Sequence, residues 1–123
     1  MHEFLFWLYL TNSILLITHE IDSAYWEEWK LFKLPGGITG FLLLHLPILF
    51  LILYGLVEVF QETSTGLIFS VILSTSGLFA FAIHTIFMSK GKHEFKVPIS
   101  IFLLAAILIV SIIQIAVTVS LLT

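Results

Sequence analysis

Residues 97–122 read VPISIFLLAAILIVSIIQIAVTVSLL, 26 residues without an acid or a lysine. A helix needs about 20 predominantly apolar residues to cross about 30 Å of hydrocarbon, so this stretch suffices alone. Residues 38–57, 20 in number, and residues 66–88, 23 in number, pass the same test. Residues 4–18 are equally apolar but only 15 long, and they run into His19-Glu20-Ile21-Asp22. To cross the bilayer, that segment must carry the polar cluster with it to the headgroup boundary. The chain therefore reads as four spans at about 4–22, 38–57, 66–88 and 97–122, in a single integral membrane domain covering residues 1–123.

Composition excludes the competing classes. The 123 residues are 59% hydrophobic and only 11% charged, with a mean hydropathy of +1.13. A soluble domain carries about 25% charged residues, and a small globule has too little interior to hide so much apolar surface. A soluble enzyme and a disordered chain are therefore excluded. Five lysines and no arginine against eight acids exclude a nucleic-acid binder, and no nucleotide cofactor is expected. The absence of cysteine removes disulfides, thiol catalysis, Fe–S clusters and thiolate zinc sites.

The loops set an orientation. Lys30 and Lys33 lie between spans one and two, and Lys90, Lys92 and Lys96 between spans three and four. By the positive-inside rule these loops face the cytoplasm and both termini lie outside, in the inner membrane. The first segment lacks a basic flank and a small-residue cleavage site, so it reads as a retained span and not a removable leader. Between spans one and two, residues 23–34 are amphipathic. Tyr25, Trp29 and Phe32 recur at helical spacing, with Glu27, Lys30 and Lys33 on another arc. This predicts a short interfacial helix, ended by Leu34-Pro35-Gly36-Gly37. The fold class is all-α, a four-helix transmembrane bundle with one interfacial helix.

Depth singles out a few polar residues. At 1.5 Å per residue, His45 lies about 10 Å and His84 about 6 Å inside the Lys-bearing boundary. His19 falls near the same level, with Glu20 and Asp22 just after it. Ionisable residues at such depth face the bundle interior and are functional candidates by default. Asn12, His19 and Ser23 share a face of span one; Gly77, Ala80 and His84 share a face of span three. Pro47 leaves the Leu43 carbonyl without its helical partner two residues after His45. Ser111, Gln114 and Thr118 form a stripe on span four, and Gln114 lies at the depth of Asn12, which predicts a hydrogen bond between them.

Imidazole and carboxylate without thiolate suit a divalent metal such as zinc, iron or manganese. The expected set has His19, His45 and His84 as ligands and Asp22 as fourth ligand or supporting carboxylate. Glu20 is the general base, while Glu27 and Glu28 offer further carboxylates that support a ligand or act as base. An open position on the ion would make hydrolysis of a lipid or other amphiphile the natural reaction class. Three alternatives stand beside it. The same residues serve as hydrogen-bonding glue between helices in a non-enzymatic subunit whose polar stripe and residues 26–29 bind a membrane protein partner or a second copy. Ion passage needs a polar path that only Asn12, Gln114 and scattered hydroxyls would line. Haem needs two opposed histidines across a wide apolar slot, which nothing here selects. His93 reads as solvent-exposed, and His2, Glu3, Glu58 and Glu62 as solvated at the outer surface.

The run His19-Glu20-Ile21-Asp22-Ser23-Ala24-Tyr25-Trp26-Glu27-Glu28-Trp29, the Leu34-Pro35-Gly36-Gly37 turn and His45-Leu46-Pro47 resemble an uncharacterised bacterial family. Its members are small four-helix membrane proteins with an H-E-x-D-x-x-Y-W-x-E-W pattern. The resemblance is strong over residues 10–60 and implies fold and membrane location only. A weaker likeness to membrane hydrolases that place His and Asp from several helices on zinc is analogy alone.

Overall fold

The computed structural model describes residues 1–90 and 97–123. Lys92, His93 and Lys96 lie outside the described residues. Five helices follow one another: α1 (His2–Tyr25), α2 (Glu28–Leu31), α3 (Gly37–Phe60), α4 (Ser64–Ser89) and α5 (Pro98–Leu122). All but α2 are long and apolar enough to cross a membrane, which makes this a membrane protein of the all-α class. Their outer faces carry a dense set of exposed side chains, among them Leu42, Leu43, Leu46, Phe50 and Phe102. Water would not tolerate that surface on a monomer; hydrocarbon does.

The long helices alternate in direction. α1 packs against α3 and α5, and α4 against the same two, while α1 and α4 touch across the diagonal and α3 stays clear of α5. A core of Leu5, Leu8, Tyr9, Leu16, Leu73 and Ile107 fills the centre. Apolar packing alone cannot hold helices together in lipid, where tails are as apolar as leucine, and a polar network supplies register. Asn12 Nδ2 donates to Gln114 Oε1 at 2.9 Å and to Ser111 Oγ at 3.1 Å. Gln114 Nε2 donates to Ser70 Oγ at 2.9 Å, and Ser70 pairs with Thr118 at 2.8 Å. The Asn12–Gln114 bond expected from equal depth is present, and it extends into a network spanning α1, α4 and α5.

α1 runs three residues past its expected end, so His19, Glu20 and Asp22 all sit on helical backbone. The connection to α3 differs more from its sequence reading. In place of one helix over 23–34, Ser23 and Tyr25 belong to α1, and Glu27 takes a left-handed conformation at φ 55°. That single residue reverses the chain and starts the one-turn helix α2. Trp29 and Phe32 then turn inward, meeting Phe41 at a tilt and Phe87 edge to face with centroids 5.6 Å and 5.4 Å apart, whereas Tyr25 is left 75% exposed. Gly36 closes the segment at φ 97°, a region that costs side-chain-bearing residues dearly. At the other end of the bundle, Thr63 caps α4 by accepting from Gly66 N at 3.0 Å.

Candidate functional site

α1 brings His19 and Glu20, and α4 brings His84, to the end of the bundle where α2 lies; α3 brings His45 to the same level. α2 adds Glu28, which the reversal at Glu27 aims at the bundle interior. His19, His84 and Glu28 are 1%, 2% and 8% exposed. Each offers a ligand atom within 4.8 Å of the other two, so this group could hold a metal ion. The two imidazoles meet edge to face, with centroids 4.5 Å apart and planes at 83°. His84 Nε2 stands 3.1 Å from Glu28 Oε1.

Hydrogen bonding fixes which ring nitrogen faces the acids. His84 Nδ1 lies 2.8 Å from the Ala80 carbonyl, and His45 Nδ1 lies 2.7 Å from the Phe41 carbonyl. A carbonyl oxygen only accepts, so both Nδ1 atoms carry the hydrogen. In a neutral ring, Nε2 then presents a lone pair. His84 Nε2 meets the Glu28 carboxylate, and His45 Nε2 meets Glu20 Oε2 at 2.5 Å. Lone pair against carboxylate is repulsive. A proton between the two atoms makes each contact attractive, and at His84–Glu28 a metal ion would do the same. Backbone anchoring of one ring nitrogen is also how protein metal sites orient histidine. Burial pushes the Glu28 carboxyl up, but hydrogen bonding to His84 and the charge of the neighbouring imidazoles outweigh it. The group is held below the usual carboxylate value.

Of the residues singled out from sequence, the structure gathers His19 and His84 into one group and adds Glu28. His45 is drawn instead to Glu20, across the interface of α1 and α3. Asp22 lies outside the three-residue group, and its Oδ1 accepts from Trp26 Nε1 at 3.0 Å, four residues on. Glu28 was legible only as one of four nearby acids, and the signal for its inward turn is the departure of residues 26–27 from a continuous helix. The Asp22–Trp26 pair, by contrast, has the i, i+4 spacing that faces two side chains on any helix.

His19, Glu20, Glu28, His45 and His84 together form the polar end of a cavity of about 680 Å³. The rest of its wall is apolar apart from Ser76 and the Tyr9 hydroxyl, drawn from α1, α3 and α4 with Trp29 and Phe32. A largely apolar cavity with a few convergent polar groups is the usual form of a small-molecule site.

No curated protein and no solved structure matches the chain. A family model matches residues 5–121, nearly the whole sequence. The protein belongs to that family, described as a family of unknown function, DUF6713.

Proposed function

We propose that this protein is a small membrane enzyme of the bacterial inner membrane that holds one divalent metal ion on His19, Glu28 and His84. The observation that carries the reading is the convergence of three buried ligand atoms within 4.8 Å at the polar end of a largely apolar cavity. Two imidazole nitrogens and one carboxylate oxygen suit zinc, iron or manganese. Three protein ligands leave a position open, and a metal there supplies Lewis acidity and activates water for hydrolysis.

The chain's own residues supply the rest. The Ala80 carbonyl holds the His84 ring so that Nε2 faces the site. Glu20, paired with His45 at the partly open side of the pocket, is placed to take a proton as general base. Asp22, bonded to Trp26 through Oδ1, is a further carboxylate beside His19 that supports the group. Lys30, Lys33 and Lys90 at this end, with the positive-inside rule, support placing it at the cytoplasmic face, with both termini outside.

Elemental analysis of the tag-free protein in detergent tests the reading. Near-stoichiometric zinc, iron or manganese in the wild type, lost in His19→Ala, Glu28→Gln and His84→Ala, supports it. A folded protein that stays empty after zinc is added overturns it, and leaves the two His–Glu pairs as interhelical ties in a non-enzymatic membrane subunit.

A further inference from the structure

The cavity wall is not closed all round. Leu44 and Leu51 on α3, and Ile72, Ser76 and Phe79 on α4, line the cavity and are themselves exposed. The lining residues of α1, by contrast, are buried or partly buried. The opening therefore runs lengthwise between α3 and α4, on a surface that faces hydrocarbon. Its lining covers residues 41 to 52 of α3 and 69 to 84 of α4, which is about 16 Å and about 22 Å of helix at the standard rise. One leaflet of a bilayer is about 15 Å of hydrocarbon. The slot thus has the length of a single leaflet, is apolar along that length, and ends at His45, Glu20 and the His19–Glu28–His84 group.

We propose that the slot binds one acyl chain of a membrane amphiphile, entering sideways between α3 and α4. The carbonyl end of the chain lies against the polar group at the α2 end, and the methyl end lies toward Tyr9 and Ile52. The geometry favours a chain over a compact ligand, because the opening is a long seam and not a round mouth. A protein partner is disfavoured because a helix, at 10–12 Å across with its side chains, is much thicker than an extended chain. The proposal deepens the metal-site reading, on which it depends for what meets the carbonyl end.

Photo-crosslinking of the full-length protein in lipid nanodiscs tests it. One arm uses a long-chain lysophospholipid carrying a diazirine in its acyl chain, and the other the corresponding free fatty acid. Adducts concentrated at Ile48 and Leu73 inside the slot, in either arm, are the expected result. The arm that labels names the source of the chain. Ser76→Trp, which narrows the seam from α4, and Ile48→Trp, which fills it from α3, are each expected to abolish slot adducts. Phe50→Trp on the outward face of α3 is expected to leave them unchanged. Labelling confined to outward residues such as Leu43 and Phe50 in both arms overturns the proposal. The metal content of the same samples separates the two readings. A metal-bearing protein with an unlabelled slot sinks only the acyl-chain site, and a labelled slot in a metal-free protein sinks only the metal site.

Discussion

His45 Nε2 on α3 lies 2.5 Å from Glu20 Oε2 on α1, while His45 Nδ1 is held by the Phe41 carbonyl of its own helix. The pair is a polar tie between α1 and α3 at the cavity end, on a helix that is largely exposed along its length. Neither residue belongs to the His19–Glu28–His84 group.

Replacing His45 with Ala should therefore loosen α3 without changing metal binding at the proposed His19–Glu28–His84 site. The pair is only partly exposed, so the cost should fall between that of surface and buried ion pairs, about 1–3 kcal/mol. Glu20→Gln should cost less than His45→Ala, since an amide oxygen or nitrogen can still meet the ring. Unfolding in detergent, run as a double-mutant cycle, gives a coupling between the two positions. Additive effects would show that the tie is not formed.

The network centred on Gln114 should set the register of α1, α4 and α5. Asn12→Ala removes the donor to Gln114 and Ser111 and should cost about 0.6–2 kcal/mol, the range for hydrogen bonds between helices in membranes. Gln114→Leu should cost more than Asn12→Ala, because Gln114 also bonds Ser70. Reversible unfolding in mixed micelles measures both. Equal or smaller loss for Gln114→Leu would contradict the arrangement.

Gly77 on α4 packs tightly against α5. A Cβ there would fall 2.1 Å from Ser111 Oγ and 3.1 Å from a methyl of Ile107. Overpacking a tight interface costs about 1–3 kcal/mol, so Gly77→Ala should lower the thermal midpoint of the detergent-solubilised protein. Adding Ser111→Ala should return part of the loss, because the worst contact is the hydroxyl. A double variant as unstable as the sum of its parts would mean the helices sit farther apart.

The four long helices were legible because a span leaves a plain mark, some 20 residues without charge. The level of His19, His45 and His84 was legible for the same reason, since a helix converts residue number into depth. Rotation about each helix axis was not. It decides that His45 meets Glu20 while His84 meets Glu28, and it depends on how neighbouring helices pack. Glu28 was further hidden by Glu27, whose left-handed backbone breaks the helical period on which the reading of residues 23–34 rested. Asp22 was legible by its position beside His19, and its bond to Trp26, four residues on, follows from helical spacing.

The central claim is that His19, Glu28 and His84 ligate one ion, and X-ray absorption spectroscopy of zinc-loaded protein tests it most directly. The account predicts a four-coordinate zinc with two imidazole nitrogens and carboxylate or water oxygens at about 2.0–2.2 Å. It also predicts an imidazole signal that falls by half in His84→Ala and is unchanged in His45→Ala. An all-oxygen shell, or a spectrum indifferent to His19 and His84 but altered by His45→Ala, would contradict it.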